Sequence, residues 1–380
     1  MPNPPASPNA TPDRPLLWDI FCHVVDNFGD VGMLWRLSAA LAARGQQVRL
    51  WIDDASALTW MAPGALAGEW PGVRVMPWVD ADQASACSAL PCADAWIEGF
   101  GCEIPPGFVA HFAQQVSAQA GLAQPVWINL EYLSAEAYVD RNHRLPSPVL
   151  SGPARGWTKY FYYPGFTAGS GGLIRSAVAD AAPSRAHPTP ESAKGTRKIS
   201  LFCYEPEALP ALLTSLGQDG RPSQLLVAHG RATQAVRRLL ESASFELPGN
   251  LQVEYLPTLS QTQFDAVLGR CDLNLVRGED SLVQAIWAGK PFIWQAYPQT
   301  DAVHRAKLDA FLDWLQADSA VRHVHRAWNG FCQPAELAHW AQTLADADGR
   351  WASQVIDARQ RLLVQDDLPT QLLKLVDENR

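Results

Sequence analysis

Two carboxylates, Asp26 and Asp30, lie within the glycine-bearing segment VVDNFGDVG at residues 24–32. Placed just beyond an apolar run, such a carboxylate can serve as a general base toward a bound acceptor. The simpler alternative is that both acids satisfy loop amides or the start of the next helix. A second segment, VRGEDS at residues 276–281, has the chemistry of an anion site. Arg277 offers a planar fork to a phosphate, Gly278 lets the backbone turn closely past a ligand, and Ser281 supplies a hydroxyl. A helix starting here would add free amides that favour a phosphate. On spacing alone, Glu279 and Asp280 are more simply read as caps of that helix. Aromatic residues form a third group. Phe202 and Tyr204 end one predicted strand and Tyr255 another, where they can hold a planar base by stacking or merely pack in the core.

The elements that must position these residues follow from hydrophobic periodicity. LLWDIFCHVV reads as a strand, DNFGDVG as a loop, MLWRLSAALAARG as a helix ending at Gly45, and QQVRLWID as the next strand. This β-loop-α-β unit is the building block of a doubly wound sheet. VRVMPW, DAWIEGF and PVWINL continue it, whereas KYFYYPGFTAGSGGLIR at residues 159–175 reads as a long loop near a cleft. A second alternation starts at ISLFCY and passes through SQLLVAHG, LQVEYLP, CDLNLVRG and KPFIWQAY, with EDSLVQAIWAG as a helix holding Glu279 and Asp280 in its first turn. The chain is therefore expected to be α/β, with two Rossmann-like halves and a ligand site beyond the carboxyl ends of their strands. The expected organisation is a disordered tail over 1–15, an N-terminal domain over 16–178 and a connector over 179–198. A C-terminal domain over 199–355 and a helical segment over 356–380 follow.

Composition narrows the classes. A chain of 380 residues with 47% hydrophobic content can bury two cores. The net charge of -9 argues against general nucleic-acid binding. No stretch approaches the roughly 20 apolar residues of a membrane span, and the N-terminal residues lack a signal-peptide core. The cysteines Cys22, Cys87, Cys92, Cys102, Cys203, Cys271 and Cys332 form no CxxC pair or disulfide framework, which fits a reducing cytoplasm. Histidines such as His304, His323 and His325 have no zinc spacing, and the DNFGD turn lacks the GxGxxG of a dinucleotide site.

Taken in order, FCHVVDNFGDVGMLWRL, WINLEYLSAE, YFYYPGF with SGGLIR, LVRGEDSLVQAIWAGKPFIWQAYPQ, and His304 followed by a KL pair form a specific set. On these motifs the chain resembles the EarP family of protein-arginine rhamnosyltransferases, which act on bacterial translation elongation factor P. The resemblance runs from about residue 18 to near the C-terminus. It implies the GT-B architecture of two facing Rossmann-like domains and inverting transfer from dTDP-β-L-rhamnose to one arginine nitrogen. That modification activates the factor for translating polyproline stretches. The nucleotide-sugar is expected mainly on the C-terminal domain and the protein acceptor on the N-terminal domain. By the same resemblance Asp26 is the general base, Asp30 a further essential acid, and Glu279 catalytic or substrate-orienting. Arg277, Asp280 and Ser281 resemble the diphosphate-binding group, and Phe202, Tyr204 and Tyr255 the thymidine pocket. Tyr255 departs from the family's usual phenylalanine, which preserves stacking but adds a hydroxyl needing a partner. No cofactor or metal is expected, because Arg277 and helix amides can stand in for a divalent ion. Another GT-B transferase, a nucleotide-sugar 2-epimerase and a non-catalytic binding protein are the competing readings.

Overall fold

The computed structural model describes residues 14–24, 28–175, 195–218, 220–298, 303–332 and 349–380. Most of the expected tail, residues 1–13, lies outside the described residues, and so does 179–194 of the expected connector. The first sheet holds β1 (Leu17–Cys22), β2 (Gln47–Ile52), β3 (Val73–Pro77), β4 (Ala95–Gly99), β5 (Val126–Leu130), β6 (Leu145–Pro148) and β7 (Thr158–Tyr162). Their order is β3-β2-β1-β4-β5-β7-β6, parallel throughout except where β6 runs antiparallel to β7. The second sheet, wholly parallel, holds β8 (Arg197–Leu201), β9 (Ser223–Val227), β10 (Leu251–Tyr255), β11 (Leu273–Arg277) and β12 (Phe292–Gln295) in the order β10-β9-β8-β11-β12. In each sheet the winding reverses beside its first strand, between β1 and β4 and between β8 and β11. Such switch points open a crevice beyond the strands' carboxyl ends. Asp30, in the first turn of the next helix, follows β1, Phe202 follows β8, and Gly278 follows β11, so Asp30, Phe202 and the Arg277–Ser281 turn stand at the two switch points.

The longer helices are numbered α1 (Gly29–Ala42), α2 (Pro106–Ala118), α3 (Leu209–Gln218), α4 (Arg231–Leu240), α5 (Gln261–Arg270), α6 (Gly278–Ala288), α7 (Val303–Leu315), α8 (Ser319–Trp328), α9 (Arg350–Leu363) and α10 (Leu368–Asn379). Two local signals set the helices beside the site. Ser260 and Gln263 form a capping box that starts α5. Gly289 ends α6 in the left-handed region at φ 65°.

Two expectations are corrected. The stretch from 159, read as loop, begins with β7, which pairs with β5 in the register Trp127↔Lys159 through Leu130↔Tyr162. Residues 158–161 are all half-buried, so no period-2 pattern marked the strand; pairing to β5 decides it. The DNFGDVG loop is also shorter than expected, because α1 already includes Gly29 through Gly32.

Two cores pack against the faces of the first sheet. One is built on Trp18, Ile20, Leu34 and Leu50, the other on Phe21, Trp51, Trp96 and Phe108. The second sheet has its own core. The chain crosses between domains near its end. Trp351, Val355, Ala358 and Leu362 of α9 join the second-domain core, while Leu368, Leu372, Leu375 and Val376 of α10 join the first. The expected break at 355/356 thus falls inside α9, and the last helix packs with the first domain. Both helices are amphipathic, and periodicity shows a buried face without showing which core receives it. Leu133, Phe166 and Leu173 of the first domain's loops also enter the second core, and Trp287 donates its indole N–H to the Ile174 carbonyl at 2.8 Å. No helix among the described residues is long and apolar enough to cross a membrane.

One buried group makes stability depend on pH. His325 in α8 is fully buried, with Nδ1 2.9 Å from the Val321 carbonyl and Nε2 without a hydrogen-bond partner among the described residues. Burial pushes its imidazole down from 6.5 to about 4, despite the carbonyl bond. The folded value lies below the unfolded one, so this contribution is full above pH 6.5 and is lost as pH falls toward 4. Relative to His325→Gln, the wild type should lose about 2 kcal/mol between pH 7 and pH 5. Parallel melting curves decide it: a gap that stays constant over that range removes His325 as the cause.

Candidate active site

On the first-domain side, Asp26 lies outside the described residues, which resume at Phe28. Asp30 is half-buried in the first turn of α1. Its charge is felt at the end of β1, where the Cys22 thiol is pushed up by burial first and Asp30 second. It is felt again at Tyr132, just past β5. That phenol is pushed up by burial and then by Asp30, Glu279 and Glu131 in turn. Tyr132 therefore stands within electrostatic reach of acids from both domains. Its ring stacks on Phe100 with centroids 4.6 Å apart and planes 19° from parallel, and it remains 44% exposed. Phe100 holds a left-handed φ of 57°, an uncommon conformation for a bulky side chain. Neither residue was marked as a site candidate by sequence. The available signal was the acid-aromatic pair Glu131–Tyr132 directly after a buried strand.

On the second-domain side, β11 ends at Arg277 and Gly278 turns the chain into α6 at φ 70°. Tyr204 Oη is 3.7 Å from where a Cβ on Gly278 would stand, so the backbone angle rather than space calls for glycine. Trp294 donates its indole N–H to the Gly278 carbonyl at 2.8 Å, and the Ser281 hydroxyl donates to the Arg277 carbonyl. The Arg277 guanidinium lies over Phe202 at 4.5 Å and over Tyr204 at 4.4 Å. β8 ends at Leu201, so the two aromatics expected to end it lie just beyond it, and both meet Arg277. Tyr204 is fixed by its backbone N–H donating to Gln295 Oε1 at 2.8 Å. Arg277 has no carboxylate partner among the described residues, and its Nη1 is buried without a hydrogen bond. Burial pushes its pKa down, and the charge of Arg231 adds to that effect. Arg231 lies 5.5 Å from the same Tyr204 ring. Two cations around one tyrosine, beside the first amides of a helix, make a strongly anion-seeking corner.

The acids at the start of α6 are already engaged. Glu279 accepts from the Leu133 backbone N–H at 2.8 Å and pairs with the Lys307 ammonium. Asp280 lies 2.8 Å and 3.0 Å, through its two oxygens, from Nε of Arg36 and accepts from Gln284 at 3.4 Å. The carboxylates of Glu279 and Asp280 and the hydroxyl of Ser281 thus point to protein partners, leaving the amides of that turn for a ligand. Arg36 and Lys307 were not singled out by sequence. Arg36 lies on the face of α1 that the second domain covers, and no motif marks that.

The remaining candidate stands apart. Tyr255 ends β10, two strands from β8, half-buried with the Arg237 guanidinium 4.9 Å over its ring. Phe202 lies edge-on to Phe264 at 5.4 Å. The structure brings Phe202, Tyr204 and Arg277 into contact and places Glu279, Asp280 and Ser281 on the adjoining turn. Among the described residues no cluster of three or more His, Cys, Asp or Glu side chains is arranged to hold a metal.

Comparisons with known proteins match this arrangement. The family model for the Elongation-Factor P (EF-P) rhamnosyltransferase EarP matches residues 18–377. A protein-arginine rhamnosyltransferase of Pseudomonas putida is 38% identical over 358 residues, covering 86% of this chain and 91% of that protein. One from Pseudomonas aeruginosa is 39% identical over 340 residues, covering 82% and 86%. A solved structure described as "Structural basis for EarP-mediated arginine glycosylation of translation elongation factor EF-P" superposes with a TM-score of 0.60 at 26% identity, covering 96% of this chain and 100% of that one.

Proposed function

Because the chain belongs to the EarP family of elongation factor P rhamnosyltransferases, with the GT-B fold, we propose that it is a protein-arginine rhamnosyltransferase acting on elongation factor P. In this reading it transfers L-rhamnose from dTDP-β-L-rhamnose to one arginine side chain, with inversion at the anomeric carbon. The modified factor then supports translation of polyproline stretches in the cytoplasm. The observation that carries the donor side is the Arg277 guanidinium, which lies over two aromatic rings at the head of α6 with no carboxylate partner among the described residues.

In this reading the mechanism combines that corner with the acids assigned by family resemblance. The leaving dTDP gains negative charge as the glycosidic bond breaks. Arg277 and the amides of the first turn of α6 stabilise it. An acceptor nitrogen attacks the anomeric carbon from the opposite face, forms the C–N bond and gives up one proton. Asp26 receives that proton, and Asp30 helps hold the guanidinium. A guanidinium lone pair is delocalised and the group is normally charged, so carboxylates around it must localise one nitrogen as well as attract the cation. Glu279, held by Leu133 and Lys307, ties the donor turn to the first-domain loop that carries Tyr132. Phe202 and Tyr204 supply rings of the thymidine pocket, and Tyr255, at the end of β10 two strands away, is its proposed far wall.

Intact-mass analysis of elongation factor P after incubation with dTDP-rhamnose tests the whole reading. One added deoxyhexose, mapped to a single arginine, is expected. Donor consumption without acceptor would favour an epimerase, and transfer only from UDP-sugars would favour another glycosyltransferase. Nucleotide binding with no turnover would favour a binding protein. Transfer is also expected to be metal-independent, since Arg277 and the helix amides meet the diphosphate. Activity lost on thorough chelation and restored by one divalent ion would overturn that assignment.

A further inference from the structure

Arg36 lies on α1, further along the helix than Asp30, and its guanidinium spans the two domains. Nη1 and Nη2 each donate at 2.8 Å to the Asp265 carboxylate on α5, while Nε meets Asp280 on α6. The side chains of Arg36 and Asp265 are 10% and 8% exposed. The same seam is closed by Gln261, whose side-chain amide donates to the Gly32 carbonyl at 2.8 Å. A Cβ on Gly32 would come within 3.2 Å of that amide nitrogen, so the last glycine of DNFGDVG permits the approach of α5.

A buried ion pair of this kind contributes little net stability against an apolar alternative. Its position suggests a more specific task. Asp280 belongs to the turn whose amides face an incoming diphosphate. An unpaired carboxylate there would repel the ligand, strongly so in a partly buried site. Burial pushes the Asp265 carboxyl up, and Arg36 opposes that shift while Asp280 adds to it, so the two acids share one cation.

Building on the dTDP-sugar reading above, we propose that Arg36 is a positioning residue of the nucleotide site, acting through Asp280. It neutralises that carboxylate and holds it away from the helix-start amides. In the same contact it fixes the acceptor-side helix α1 against the donor-side helix α6. Donor affinity is thereby coupled to the seam between the domains.

A double-mutant cycle read by dTDP titration and single-turnover transfer tests this. Arg36→Gln should weaken dTDP binding at least ~10-fold and slow transfer, whereas adding it to Asp280→Asn should cost less than ~2-fold more in dTDP affinity. Arg36→Lys should recover part of the loss, because it keeps the charge but cannot reach both acids in a fork. If Arg36→Gln does not fold, Arg36→Lys takes its place in both backgrounds and the same comparison decides. Wild-type dTDP affinity in the Arg36 variant, or a loss of equal size in both backgrounds, overturns the proposal. A wild-type protein that does not bind dTDP overturns the donor assignment instead, and the first titration reads that separately.

Discussion

Arg277→Met is expected to melt at a higher temperature than the wild type and to bind dTDP at least ~100-fold more weakly. The two effects share one cause. The guanidinium is half-buried against Phe202 and Tyr204, its Nη1 fully so, with no carboxylate to balance it among the described residues. Its contact with each ring returns about 2 kcal/mol, set against the several kcal/mol of desolvation that burying an ion costs. Methionine keeps the length and packs against the rings without that cost. The diphosphate then loses a charge-assisted, fork-shaped contact worth roughly 3 kcal/mol. Arg277→Lys should fall between, with dTDP affinity down about 10-fold, since charge survives without the planar fork. Thermal melting and nucleotide titration are to be measured on the same preparations. A methionine variant that binds dTDP normally removes Arg277 from the donor site; one that binds weakly but also melts lower shows that the cation is balanced in the folded protein.

Asp26→Asn should leave dTDP binding intact while single-turnover transfer to elongation factor P falls steeply, about 10²–10⁴-fold. Asparagine keeps the size of the side chain and can still cap loop amides, so melting should change little. Asp30→Asn and Glu279→Gln belong in the same series, because either acid can share the orienting of the guanidinium. The structure separates the expected outcomes for Glu279. Its carboxylate is paired with Lys307 and bonded to the Leu133 N–H, so Glu279→Gln loosens the contact between the domains as well as removing charge. It should therefore lower melting temperature, which Asp26→Asn should not. Near-normal transfer by folded Asp26→Asn rejects it as the base. A variant that neither folds nor binds dTDP makes Asp26 a structural cap instead.

Much of this protein was determined by local sequence. Strands such as LWDIFC and VWINL are apolar except for Asp19 and Asn129, near-continuous as parallel strands covered on both faces require. VRGEDS declared its chemistry because a glycine turn, an arginine and a helix start lie within six consecutive residues. Alternation placed Phe202 and Tyr204 on one face of a strand end; β8 stops at Leu201, and it is Arg277 that both rings meet just beyond it. What the tertiary structure decided is everything that depends on a partner far away in the chain. β7 became a strand by pairing with β5, without a burial pattern of its own. α10 returned to the first-domain core because that core had an apolar face to receive it. The acids of the RGED turn carry no mark of their partners: Arg36 and Lys307 are separated from them by 244 and 28 residues. An ion pair's energy depends on distance and burial in space, and those arise only when both domains have folded against each other.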